Sequence, residues 1–150
     1  PGTSYEGLPS VTLLGFGTVL DEGETLDSPR VLATAGPGVS VAYHAFLEQR
    51  DGRLGDLPNA ARFAELVDAL PEETRHLALH EGHLTELNAI DRQVVVGEAL
   101  RMLPLVAPAS ELAGRLDGLA AAGITEIAFQ PMGDVPRELR AFAAAAGMGR

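Results

Sequence analysis

The chain has 150 residues, 46% of them hydrophobic, with no cysteine, no lysine and a formal net charge of −10 from 11 arginines against 21 acidic residues. That composition excludes disulfides, thiolate metal ligands, cysteine nucleophiles, a Schiff-base amine and a phosphate-loop lysine. A negative field of this size repels phosphate backbones, so nucleic acid is not expected as a partner.

The length suits one domain with a sizeable core. Charge or proline interrupts every apolar stretch before the ~20 residues that span a bilayer, and no basic, apolar leader opens the chain, so a soluble, cytoplasmic protein with no membrane partner is expected.

In chain order, Pro1 to Ser10 is rich in turn formers and reads as a loop. Val11 to Leu20 is apolar on both faces and rich in β-branched residues, the pattern of a buried parallel strand. An acidic turn follows, Asp21-Glu22-Gly23-Glu24, and Ser28-Pro29 then supplies an N-cap with proline at the first helical position. Gly36-Pro37-Gly38 should break or sharply kink that helix. A second helix is expected from about Val39 to Gln49, with Val39, Ala42, Tyr43 and Phe46 on one face. Tyr43 and His44 on that helix close the core.

Asp51 to Pro58 is a loop, and Asn59 caps a helix whose inward face is Phe63, Leu66, Val67 and Leu70, ended by Pro71. The stretch Glu72 to Arg92 has sparse apolar residues and no clear period. After a turn at Ala107-Pro108-Ala109-Ser110, a helix opens with the stripe Leu112, Leu116, Leu119 and Ala120, and Gly123 stands where a left-handed residue ends a helix. Ile124 to Phe129 is a short strand. Gln130-Pro131-Met132-Gly133-Asp134 leads from it to a helix starting at Pro136, with Leu139, Phe142, Ala143 and Ala146 inward. Helix, strand, loop and helix in this order is the repeating unit of an α/β protein, and the strands at 11–20 and 124–129 should be parallel neighbours in one sheet.

Three stretches in fixed order resemble the luciferase-like monooxygenase superfamily of flavin- or deazaflavin-dependent oxidoreductases. They are Gly17 to Glu24 with Ser28-Pro29-Arg30 and Gly36-Pro37-Gly38; Arg75-His-Leu-Ala-Leu-His-Glu-Gly-His-Leu84; and Ala121 to Pro131 continuing to Phe142. The similarity runs from about Val11 to Ala146. Family members commonly place a Gly-Thr-Pro or Gly-Ser-Pro turn where this chain has Ala107 to Ser110.

The resemblance implies a (β/α)8 TIM-type barrel of which residues 1–150 form the C-terminal half, since such barrels need about 250 residues. The N-terminal half would be absent. An open half-barrel is expected to pair with that missing half or with a second copy in a homo-oligomer.

Ligands of parallel α/β sheets sit at the carboxyl ends of the strands. With the resemblance, that makes Gly17, Thr18, Gln130 and Gly133 the expected cofactor-binding residues and Met132 a substrate-binding one. Asp21, Glu22 and Glu24 are equally well a solvated turn. The Gln130 amide can hydrogen-bond a flavin ring. Arg30 at a helix N-terminus could hold an anion, although a salt bridge to Asp27 or Glu24 is the commoner outcome.

His76, His80 and His83 would share a helix face, but Gly82 interrupts it and the spacing is not His-Glu-x-x-His, so no metal is expected. His80 is the candidate catalytic residue, an acid or hydrogen-bond donor beside the flavin, and His83 a substrate contact. The implied function is a monooxygenase or oxidoreductase that uses FMN or the deazaflavin F420 for hydride transfer or oxygen activation on a small organic substrate. The alternatives are a non-catalytic barrel half serving as an assembly subunit, and a metal-dependent hydrolase resting on the histidines alone.

Overall fold

The computed structural model describes residues 7–49 and 52–148. Residues 1–6 of the expected opening loop and Asp51 of the later one lie outside the described residues. The elements run β1 (Thr12–Leu20), α1 (Pro29–Glu48), a 3₁₀ turn (Gly52–Asp56), α2 (Ala60–Asp68), α3 (Arg75–Leu79), α4 (Asp91–Val94), a second 3₁₀ turn (Gly97–Met102), β2 (Leu105–Pro108), α5 (Ala109–Ala121), β3 (Glu126–Gln130) and α6 (Val135–Ala145).

The three strands form an open sheet in the order β2-β1-β3, and both pairings are parallel. The expected parallel neighbours, each followed by a helix, are thus present, and the α/β class with surrounding helices holds. Gly17 lies opposite Leu105, and Leu14 opposite Ala128. A side chain at Gly17 would collide with the Leu105 carbonyl, so glycine there is what lets β1 and β2 come together.

Alternate residues of a strand point to opposite faces, and β2 uses both. Val106 joins a core with Val31, Val39, Tyr43 and Phe63 of α1 and α2, whereas Leu105 and Ala107 join a second core with Leu112 of α5 and Phe142 of α6. Helices therefore cover both faces at this end of the sheet. The other end is less covered: Leu14, on the central strand, is 63% exposed, and its partner Ala128 is exposed as well.

The structure corrects several local expectations. α1 is one continuous helix through Gly36-Pro37-Gly38 rather than two. Pro37 lacks the N–H that would bond Ala33, which costs about 3 kcal/mol in a helix interior. Every residue from Thr34 to Ser40 is buried, however, and side chains at 36 and 38 would press on Leu87 and collide with Phe16. Burial of this glycine-smooth stretch against Phe16 of β1 and against Leu87 keeps the helix whole.

The Ala107–Ser110 stretch is not a free turn, because Ala107 and Pro108 end β2 and α5 starts at Ala109. No positive φ is found there, so the strain that a missing glycine would cause does not arise. Leu139 is 49% exposed, and the position that α6 buries instead is Glu138, only 1% exposed. Gly123 does take the left-handed conformation expected of it, at φ 95°. The unpatterned 72–92 region resolves into α3, α4 and a turn at Gly82. Among the described residues no helix is long and apolar enough to cross a membrane.

Candidate functional site

Thr18, near the carboxyl end of β1, is fully buried. Its hydroxyl donates to Glu138 Oε2 at 2.7 Å and accepts from Arg30 Nη1 at 2.8 Å. Glu138 Oε1 accepts from Arg30 Nη1 at 2.9 Å and from Arg137 Nη1 at 2.7 Å, and both guanidiniums donate through Nη2 to the Val19 carbonyl, at 3.0 and 2.9 Å. Arg30 also pairs with Glu24, and Arg137 with Asp21 at 2.5 Å.

The hydrogen bond from Arg30 is the main reason the Glu24 carboxyl is lowered to about 2, with burial acting the other way. The same bond raises the Arg30 guanidinium above its usual range. Of the two partners expected for Arg30, Glu24 is the real one, while Asp27 accepts from the Gly97 N–H at 2.7 Å. Two cations thus meet three carboxylates, Asp21, Glu24 and Glu138, in a cluster that uses the Thr18 hydroxyl internally.

The other residues expected at the strand ends are close by. Gln130 ends β3 half-buried, Met132 is buried, and Gly133, left-handed at φ 67°, approaches Thr34 in the first half of α1. A cleft of about 430 Å³, lined by none of these residues, opens beyond the ends of β1 and β2, with Leu20, Thr25, Val106, Pro108, Arg101 and Arg115 on its wall. Arg115 is committed to the Val106 carbonyl at 2.8 Å and to Glu111 at 3.0 Å. Arg101 is exposed, also lines an adjoining cleft of about 390 Å³, and makes no hydrogen bond or ion pair among the described residues. Sequence reasoning missed it, because an arginine in a 3₁₀ turn carries no periodic signal.

The histidines are elsewhere. His44 lies 14 residues along α1 from Arg30, which at 1.5 Å per residue is roughly 21 Å, and His80 and His83 gather around it. Ring centroids are 5.4 Å apart for His44 and His80, 6.1 Å for His44 and His83, and 5.1 Å for His80 and His83. His76 is exposed and takes no part.

The expected placing of His44 in the core is right as to burial, at 2% exposure. Its ring stacks on Phe63 and its Nε2 lies 2.9 Å from Asp91 Oδ1. The neighbouring Tyr43 hydroxyl, pushed up to about 12 by burial and then by Asp91 and Glu98, donates to the Pro58 carbonyl at 2.6 Å. The residues expected to share one site thus divide into two groups: Gly17, Thr18, Gln130, Met132 and Gly133 at the strand ends, and His80 and His83 at the far end of α1.

No protein-family model, curated protein or solved structure matches the chain.

Proposed function

We propose that this chain is the C-terminal half of a (β/α)8 barrel in a luciferase-like oxidoreductase or monooxygenase, whose cofactor, FMN or F420, lies at the carboxyl ends of the strands. The observation that carries this reading is the cleft beyond β1 and β2 with, on its wall, the Arg101 guanidinium, which has no partner among the described residues. Parallel sheets take ligands at that end, and an arginine not already neutralised suits an anionic cofactor tail. Arg30 and Arg137 would serve instead to fix the β1 end, their charge being used by Glu138, Glu24 and Asp21. The exposed Leu14 and Ala128 supply a reason for more sequence, because parallel sheets are normally covered on both faces.

Titration of the full-length protein with FMN and with F420 is expected to give micromolar or tighter binding to one of them. Arg101→Ala should weaken it about ten-fold, the order expected for losing one charge-assisted hydrogen bond. The 150-residue chain alone should bind weakly, since among the described residues it supplies this cleft with one guanidinium not already engaged, where a phosphate needs several converging donors. Failure of the full-length protein to bind either cofactor would refute the assignment.

One observation favours a second architecture for the same site. Successive strands of a barrel lie side by side in chain order, whereas here β1 stands between β2 and β3, the arrangement of open doubly wound sheets, which also bind ligands beyond the strand ends. The chain has no cysteine, so a pair introduced at Leu13 and Ile127, which face each other across β1 and β3, tests the order directly. Direct neighbours are about 4.8 Å apart, within disulfide reach, and strands separated by a third are not. Rapid oxidation to a crosslink in the full-length protein supports the open sheet, and no crosslink supports the barrel.

A further inference from the structure

We propose that His44, His80 and His83 form a binding site for a divalent transition metal of the zinc type, with three histidine ligands and a fourth position open to solvent. The proposal is independent of the cofactor reading, since the cluster lies at the opposite end of α1 from the strand ends.

One ring nitrogen from each of the three lies within 4.8 Å of the other two. The far nitrogens explain which ones face inward. His44 Nε2 is 2.9 Å from Asp91 Oδ1, and His80 Nε2 is 2.8 Å from Glu48 Oε1. A carboxylate only accepts, so each of these nitrogens carries the proton, and each neutral ring is left with a bare lone pair on Nδ1. Histidine ligands of metals are usually oriented in this way, by a carboxylate on the nitrogen that does not bind the ion.

The inward atoms have the properties a metal would require. His44 Nδ1 is buried and has no hydrogen-bond partner among the described residues, although its side chain is only 3% exposed. An unpartnered polar atom at that depth costs free energy that coordination would recover. His80 Nδ1 and His83 Nδ1 stand 3.4 Å apart in a long hydrogen bond that a bound ion would replace. Two nitrogens bound tetrahedrally to zinc at 2.0–2.1 Å are separated by about 3.3 Å.

Charge is balanced as well: the ligands are neutral, and Asp91 and Glu48 behind them offset a dipositive ion. Three imidazoles and no thiolate select zinc, cobalt, nickel or copper over magnesium or calcium, which prefer oxygen. His83 is exposed, which leaves the ion reachable from solvent. Asp91 is held in turn, its backbone N–H donating to Asn88 Oδ1 at 2.8 Å, and the Asn88 amide donating to the Leu79 carbonyl at 2.7 Å just before His80.

The test uses metal-stripped protein titrated with Zn²⁺ and Co²⁺, followed by calorimetry, thermal unfolding and the visible absorption of Co²⁺. One ion per chain, a raised Tm and the intense d–d bands of tetrahedral cobalt are expected. His83→Ala changes an exposed side chain, so it should fold, and it should lose the cobalt bands and bind Zn²⁺ at least about ten-fold more weakly. Asp91→Asn should weaken binding by about 10–100-fold, the usual range for a residue behind a ligand. His76→Ala, an exposed histidine seven residues away in sequence, should behave as the unaltered protein. The proposal is overturned if the unaltered chain shows no binding at stoichiometric zinc, or if His83→Ala binds as tightly and with the same cobalt spectrum as His76→Ala.

Discussion

Glu138→Ala is expected to destabilise the protein by about 3–5 kcal/mol, the range for removing one partner of a buried ion pair. The carboxylate is 1% exposed and accepts from Thr18, Arg30 and Arg137, so its loss leaves a buried hydroxyl and two guanidiniums each short of a partner, with the Val19 carbonyl, Glu24 and Asp21 still in place. For a chain of this length each kcal/mol corresponds to about 2–4 °C, giving a fall in Tm of roughly 6–20 °C. The companion prediction is a smaller loss. Replacing Arg30, Arg137 and Glu138 together by leucine or methionine should cost less than Glu138→Ala alone, because the desolvation cost of these three groups goes with them, while Glu24 and Asp21 are left without their arginine partners. Urea unfolding of the single and triple variants decides the matter. A single variant within 1 kcal/mol of the parent would show that the cluster is held loosely and contributes little.

Phe63→Ala should cost a similar amount, about 3–5 kcal/mol, for a different reason: a cavity in place of a filled volume. Phe63 is fully buried on α2, meets Tyr43 edge-on at 5.3 Å and stacks on His44 at 5.8 Å, tying α2 to the second half of α1. Its removal also takes away the surface against which the His44 ring is packed. Zinc affinity should therefore fall along with stability, whereas Phe63→Leu, which keeps most of the volume, should lower stability by less and retain the metal. Stability loss with no change in zinc binding would separate the ring packing from the site.

The elements whose signal is local were legible in the chain. The doubly apolar run around Val19 pointed to a buried strand, Pro29 after Ser28 to a helix start and Gly123 to a helix end, because each depends on the conformational preference of a few adjacent residues. The parallel class followed from their order. Tertiary structure decided the rest. Pro37 is a helix breaker by every local criterion, and only burial against Phe16 and Leu87 keeps α1 continuous. Leu139 carries the apolar character expected of an inward residue, yet α6 turns Glu138 inward, because Thr18 and Arg30 from a distant part of the chain, together with the adjacent Arg137, are there to meet it.

The histidines show the same division most clearly. Spacing joined His76 to His80 and His83 on a helix face that does not form, since α3 ends at Leu79 and Gly82 turns left-handed. The fold puts His44 in that place from 36 residues upstream of His80, with Asp91 and Glu48 behind the rings. Local preference is written in neighbouring residues and can be read from them. Which side chains converge depends on how the helices pack, and no linear spacing records that.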